Sequence, residues 1–343
     1  MSAPSIRLAP AGTLNVMGSI GGTALDVSMS ALSGFDARLG AELRRWLTAE
    51  AGHGPDGFTL AWLVTARVRV VGRHHLRAPL REALAGIQRL HRGHDAYLDA
   101  FLDAVLARHH DRFDNETYLA LPLLQLILAD QRSELDPVRL SALLLADVLR
   151  YEELPESAAQ LDAHIRAART EHAARFVAET DPTLGTAIPT PPGTAAGEWL
   201  SLTALPVSTS HDEYLLIRAL QAQELLFGTL TGMVVEATAS ARTGQLERAA
   251  TLLRRIDHTF ERVGTLFGLV ATVRDTEFAE FGHYLAGADA TRPEAHQFFE
   301  LACAELRGCG AGEQLAELGS AILALESSNR QFAADTLRLA FGS

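Results

Sequence analysis

The chain has 343 residues, a formal net charge of −12 and a mean hydropathy of +0.07. All 30 basic residues are arginine, which excludes the lysine-dependent chemistries of pyridoxal-phosphate enzymes, phosphate-loop proteins and kinases. The acidic balance argues against a nucleic-acid partner, and no apolar run approaches the roughly 18–20 residues of a membrane span. Two cysteines argue against a disulfide framework or a thiolate zinc site. The start of the chain has no signal-peptide pattern, so a cytoplasmic protein is expected.

The N-terminal segment, residues 1–32, is rich in small residues and aperiodic, which predicts a mobile arm. The rest of the chain, residues 33–343, is predicted to form a single large helical domain, whose first part, 33–152, consists of N-terminal helices. Residues 58–71 contain RVRVV, which alternates as a strand does, but the helical neighbours favour a helix.

An apolar stripe of helical spacing crosses residues 80–105 and includes two histidines. Its members are Leu80, Leu84, Ile87, His91, His94, Leu98, Phe101 and Val105. An imidazole on a core stripe is either hydrogen-bonded to a buried group or bound to a ligand. Alternatively, Gly93 ends one helix and Asp95 caps the next, which would return both histidines to a loop.

The second half has the clearest helical pattern, and together the segments predict an all-α multi-helix bundle. The segment 153–210 reads as an insertion that contains a long loop rich in Pro, Gly and Thr. Ser210 followed by Glu213 fits a capping box at the start of a helix near 211–240. The strict 3-4 apolar alternation of 245–273 is typical of an antiparallel bundle. Further helices are expected near 276–285, 292–307 and 312–341.

The other polar residues on the helical patterns are expected to be solvated or to have structural roles. His258 is expected to be solvated, and His296 to pair with Glu300 on the surface of its helix. Asn329 interrupts the apolar stripe of the last helix, and a polar residue at such a position usually fixes register or oligomer state. A homodimer or higher homo-oligomer is therefore expected.

The segment 210–232 is apolar almost all the way round, yet Arg218, Gln221 and Glu224 follow it at i, i+3 and i+6. Its core, HDEYLLIRALQAQELLF (211–227), resembles an early helix of the tryptophan 2,3-dioxygenase superfamily in its HDE-x-L start, its Q-x-x-E-L centre and the following Phe227. LVATVRDTEFAEF (269–281) and the helix after Pro293 extend this resemblance. Residues 114–131, DNETYLALPLLQLILADQ, resemble the family's first helix.

The resemblance implies an all-α fold that binds haem and inserts oxygen into the indole ring of tryptophan. The substrate pocket that it implies contains Tyr118, Leu119, Leu216, Leu220, Gln221 and Glu224. The expected ligand is a small aromatic molecule, such as a tryptophan or tyrosine derivative. Haem would be held by an N-terminal histidine, His94 or His91, because neither cysteine lies in an evident ligating loop.

The sequence departs from the family at the positions that carry its chemistry. Leu220 stands where the family has its distal histidine, and Gly282 where it has the arginine that binds the substrate carboxylate. The part that brings the haem-ligating histidine has no counterpart after residue 307. Two other functions therefore remain open: a haem-free relative that serves as a binding or assembly module, and an enzyme of another class that uses the same pocket. Likewise, Glu224 either makes a structural hydrogen bond or faces substrate.

Overall fold

A computed structural model describes residues 37–107, 112–132, 134–154, 161–184, 193–285 and 294–308, together with the backbone of the short strands 6–9, 13–16 and 25–28. The described chain is mostly helical, as the periodicity predicted. Among the described residues, no helix combines the length and the apolar character needed to cross a membrane. The predicted C-terminal helix 312–341, with Asn329, lies outside these residues.

The helices are named in chain order. They are α1 (Ala37–Thr48), α2 (Gly57–Val71), α3 (Ala78–His91), α4 (Ala96–Leu106), α5 (Asn115–Tyr118), α6 (Leu121–Ala129), α7 (Pro137–Glu152), α8 (Ala163–Thr180), α9 (Ala195–Leu200), α10 (His211–Arg242), α11 (Leu246–Val270), α12 (Asp275–Phe281) and α13 (Glu294–Gly308).

Three strands lie in the segment that the sequence predicted to be a mobile arm. They are β1 (Ile6–Ala9), β2 (Thr13–Val16) and β3 (Leu25–Ser28), and they form an antiparallel sheet in the order β1-β2-β3. The register pairs Ile6 with Val16, and Val16 with Leu25. Each strand is only four residues long, and although Thr13–Val16 and Leu25–Ser28 alternate between polar and apolar residues, so short a pattern is weak among the small residues around it.

The chain divides into two compact units. The first unit comprises residues 1–129 and 194–209, and the second comprises residues 130–193 and 210–343. The predicted insertion 153–210 is shared between them, and it contains the 18-residue helix α8. Periodicity identifies each helix but not the helices it packs against, so the division was not visible in the sequence.

In the first unit, α1, α2, α3 and α4 pack around a shared apolar core. Leu43, Trp46, Val64, Ile87 and Phe101 are among its fully buried side chains. The segment with RVRVV is helical, as predicted, because it belongs to α2.

The segment 114–131 contains two short helices. α5 ends at Tyr118, Ala120 adopts a positive φ of 49°, and α6 starts at Leu121. Pro122 stands just inside α6, where the missing N–H of proline costs nothing. The break therefore lies immediately before a residue that favours a helix start.

In the second unit, the 32-residue helix α10 packs against α7, α11 and α13. Contact on so many sides explains why its sequence is apolar almost all the way round. The predicted helix start at His211 is confirmed, but the capping box is wrong. The Ser210 side chain does not cap the helix, and its Oγ instead donates to Glu277 Oε2 at 2.7 Å.

Candidate functional site

His91 is the last residue of α3, and it lies in the core, as its place on the apolar stripe predicted. Its Nε2 is 2.9 Å from the carbonyl oxygen of Trp46, and because a carbonyl only accepts, the Nε2–H must donate. The ring also meets the Trp46 indole edge-on, with centroids 5.0 Å apart. Burial lowers the pKa of His91 below its ordinary value, an effect that the Trp46 hydrogen bond opposes and the nearby His94 reinforces. The hydrogen bond and the ring contact of His91 therefore tie α3 to the end of α1.

His94 lies outside the core, on the turn that joins α3 to α4. Gly93 has a positive φ of 82°, and the Asp95 side chain accepts hydrogen bonds from the N–H groups of Tyr97 and Leu98. This is the glycine-ended helix and aspartate cap that the sequence allowed as the alternative. It interrupts the helical phase after His91, so His94 is exposed.

These two histidines do not fit the axial ligand of a haem. An axial imidazole needs a ring nitrogen with a lone pair that faces the iron. In His91 the Nε2–H is used by Trp46, and Nδ1 is enclosed in the core, without a hydrogen-bond partner among the described residues. His94 has no enclosing structure. Within the same described ranges, no group of three or more His, Cys, Asp or Glu side chains could hold a metal ion.

The polar residues along α10, Arg218, Gln221 and Glu224, bind partners inside the second unit. Arg218 is fully buried, and its Nε and Nη2 donate to Asp147 Oδ2 of α7, the former at 2.9 Å. Tyr214 donates its hydroxyl hydrogen to the same carboxylate oxygen at 2.6 Å. Because Asp147 lies 71 residues before Arg218, this partner could not be read from the local sequence.

Gln221 and Glu224 continue the line with structural contacts. Arg218 Nη1 donates to Gln221 Oε1 at 3.0 Å. Glu224 Oε2 accepts from the backbone N–H of Ala295 at 2.9 Å, and Ala295 is the second residue of α13. A carboxylate at a helix N-terminus satisfies a free N–H and interacts favourably with the helix dipole. Glu224 thus makes a structural hydrogen bond, which was one of the two interpretations that the sequence allowed.

The apolar residues of the predicted pocket are buried, but they do not belong to one compact unit. Tyr118 and Leu119 belong to the first unit, whereas Leu216 and Leu220 lie on α10 in the second. Leu220 is a core residue of the second unit.

A buried ion network surrounds the first turn of α10. The Asp212 carboxylate receives two hydrogen bonds from the Arg274 guanidinium, at 3.0 and 3.1 Å, and one from the Arg274 backbone N–H at 2.8 Å. Arg169 of α8 lies 2.9 Å from the same carboxylate and donates to the Thr272 carbonyl oxygen. Burial by itself would raise the pKa of Asp212, but the Arg274 hydrogen bonds and the Arg169 charge outweigh it and hold the pKa below its ordinary value. The network joins α8, α10 and α12.

A second carboxylate, Glu152 at the end of α7, extends this network. Glu152 Oε1 lies 3.1 Å from His211 Nε2 and 3.5 Å from Arg169 Nη1. The ring of Tyr151 stacks on His211, with centroids 4.6 Å apart, and on Tyr214, with centroids 4.0 Å apart. An acid–base pair of this kind could serve catalysis, but both members are buried. Its geometry is that of a structural bridge between α7 and α10.

His296 was predicted on the surface, and that prediction is wrong. It is completely buried on α13, where its ring meets the Phe227 ring edge-on, with centroids 4.7 Å apart. The helix carries apolar residues on two neighbouring faces, and the structure buries the one with His296 and Phe299. Phe298 and Leu301, on the neighbouring face, are exposed. His258, in contrast, is exposed as predicted.

The first unit has an open groove of about 480 Å³ between α4 and α6. Its walls are mostly apolar, with polar groups at the edge. The lining residues are Arg92, Ala96, Asp99, Ala100, Asp103, Pro122, Gln125, Leu126 and Ala129. Arg92 makes two hydrogen bonds to Asp103, at 2.9 and 3.1 Å, and Tyr97 donates to the Leu126 carbonyl oxygen at 3.3 Å. The sequence did not point to this groove, because its residues have no motif and come from separate helices.

Comparison of the chain with protein-family models, curated proteins and solved structures gives no match.

Proposed function

We propose that this chain is a haem-free binding module, and that the groove between α4 and α6 binds a small molecule with a flat apolar body and a polar end. The observation that carries the proposal is the groove itself, an open surface depression of about 480 Å³ with a polar edge. That volume lies in the range of small-molecule sites, which are mainly apolar and have a few polar groups that orient the ligand.

The groove is matched to an aromatic amino acid or a derivative of one. Ala100, Pro122 and Leu126 offer an apolar surface to a ring. Asp99 and the Arg92–Asp103 ion pair lie at the edge, where an ammonium group would meet the two carboxylates and a ligand carboxylate would share the Arg92 guanidinium with Asp103. The Tyr97–Leu126 hydrogen bond joins the two helices, so little ordering is needed on binding.

The buried groups of α10 favour binding over catalysis. Arg218, Gln221 and Glu224 all have partners within the protein, so they support the fold instead of presenting charges to a substrate. Haem-dependent oxidation of a small aromatic molecule, which the resemblance to the dioxygenases implies, remains a prediction. Neither His91 nor His94 has the geometry of an axial haem ligand.

Calorimetric titration with L-tryptophan and L-tyrosine tests the proposal, with two matched variants. Ala96 and Ala163 are each exposed, each the first residue of a helix, and each preceded by aspartate. Ala96→Phe places a ring in the groove and should weaken binding at least tenfold. Ala163→Phe lies in the second unit and should leave the affinity unchanged. Absence of binding by both amino acids, or equal affinities in the two variants, would refute the groove as the site.

Addition of haemin tests the competing function separately. We expect the purified chain to be colourless and to show only the spectrum of free haemin after titration. A stoichiometric complex with a ligated-haem spectrum that disappears in His91→Ala or His94→Ala would instead support the oxidative function.

A further inference from the structure

The segment 57–81 has a charge opposite to that of the whole chain. It contains five arginines, two histidines and no Asp or Glu, in a chain whose formal net charge is −12. The segment comprises α2 and the start of α3. Arg73 is fully buried, and the other four arginines are at least partly exposed. A local basic surface on an acidic protein attracts acidic groups even before contact.

The exposed face of α2 is apolar at its centre and basic at its edges. Trp62 and Val70 are 48% and 66% exposed, and Ala66 between them is also exposed. Their spacing of i, i+4 and i+8 places them in one row along the helix. Arg67 and Arg69 lie on opposite sides of that row, because each is about 100° from its chain neighbour around the helix. We call Trp62, Ala66, Val70, Arg67 and Arg69 the α2 face.

We propose that the α2 face is the docking surface for an acidic amphipathic segment of a partner protein. Trp and Arg are the side chains that contribute most to binding energy at interfaces, and here a tryptophan stands beside arginines. Apolar side chains of the partner would cover the row Trp62–Ala66–Val70, and its carboxylates would meet Arg67 and Arg69. This charge complementarity selects the partner.

Two other occupants fit the α2 face less well. A symmetric dimer would set the same patch against itself, and the arginines of the two copies would repel each other. A membrane surface needs a large buried apolar area, whereas only Trp62 and Val70 are large apolar side chains in the row.

Trp62 supplies the signal for the test. The chain has three tryptophans, and Trp46 and Trp199 are 0% and 4% exposed, so a surface quencher reports on Trp62. The probes are two synthetic helical peptides with the same leucine face, one with glutamate on its polar face and the other with lysine. We expect the glutamate peptide alone to shift the emission to the blue and protect Trp62 from acrylamide, with an affinity that falls as salt is added.

Two exposed valines provide a matched pair of variants in the full chain. Val70→Glu should weaken binding of the glutamate peptide at least tenfold, while Val235→Glu, on α10 at a residue 53% exposed, should leave it unchanged. If Val70→Glu does not fold, as judged by circular dichroism, Arg67→Glu replaces it with the same expectation.

Four results would overturn the proposal. Equal binding of the two peptides would show that the row binds apolar surfaces without regard to charge. An unchanged affinity of Val70→Glu for the glutamate peptide would show that the peptide binds elsewhere. A Trp62 response to phosphatidylserine vesicles but not to the glutamate peptide would assign the face to a membrane. Self-association of the free chain that Val70→Glu abolishes would assign it to a second copy.

Discussion

Arg218 is fully buried on α10, and its guanidinium donates to the carboxylate of Asp147 on α7, with Nε at 2.9 Å from Oδ2. Taking an arginine out of water costs several kcal/mol, and only a well-aligned counter-charge offsets that cost. The polar line along an otherwise apolar helix is therefore explained by α7, which supplies the counter-charge.

Removal of that counter-charge should destabilise the protein strongly. Asp147→Ala leaves Arg218 buried without its carboxylate, and we expect a loss of about 3 kcal/mol in the free energy of unfolding. The control is Glu236→Ala, which breaks an exposed pair with Arg248 and should cost less than about 1 kcal/mol. Denaturant unfolding measures both variants. Similar small losses would mean that the buried pair contributes little.

Asp212 should make the protein sensitive to acid. Its pKa in the folded state lies below the ordinary value of 3.8, because the hydrogen bonds from Arg274 and the charge of Arg169 outweigh the effect of burial. Its stabilising contribution is thus complete above pH 3.8 and is lost as the pH falls through the folded-state pKa. Asp212→Asn should flatten the acid limb of a plot of unfolding free energy against pH. An acid limb as steep as that of the wild type would contradict the assignment.

His91 should lower the free energy of unfolding at mildly acidic pH, above the range in which Asp212 acts. Its pKa in the folded state is lowered from 6.5, mainly by burial, so below pH 6.5 the unfolded chain takes up a proton that the folded chain excludes. Stability should decline as the pH falls from 6.5 towards the folded-state pKa. The variant His91→Gln, which keeps a side-chain N–H donor, should lack this decline. The comparison is made by unfolding at a series of pH values.

The neighbouring histidines should respond differently to truncation. His91→Ala removes the hydrogen bond to the Trp46 carbonyl in the core, and we expect a cost of about 1–3 kcal/mol. His94→Ala lies on an exposed turn and should change the stability by less than about 0.5 kcal/mol. Melting temperatures of the two variants, measured side by side, decide the matter. A large effect of His94→Ala would require a partner for that ring.

Replacement of two glycines with positive φ by alanine should cost different amounts of stability, because their surroundings differ. A Cβ at Gly72 would lie 2.5 Å from the Val207 carbonyl oxygen and 2.9 Å from the Ser208 Cα, both backbone atoms that cannot turn aside. At Gly93, with a φ of 82°, a Cβ would meet nothing within 4 Å. Gly93→Ala should therefore cost about 1 kcal/mol, and Gly72→Ala more than about 2 kcal/mol. Equal costs would mean that the loop at Val207 moves to make room.

The helical class and several helix limits were determined by the sequence alone. The start of α10 at His211 and the extent of α11, Leu246–Val270, follow from local pattern, since a helix forms from hydrogen bonds and side chains within a few turns. The burial of His91 follows from the same pattern. The sequence also contained both readings of His94, and Gly93 with Asp95 marked the break that separates them.

Only the tertiary structure decided which groups meet. Ser210 could cap its helix, yet its hydroxyl is bound to Glu277, 67 residues away. α13 had two apolar faces, and packing against Phe227 of α10 selected the face with His296. The partner of Arg218 likewise lies 71 residues away, and the groove between α4 and α6 depends on how two separate helices pack. Periodicity states which face of a helix avoids water, but it carries no information about the neighbour that covers that face, because that choice depends on the packing of all the helices together.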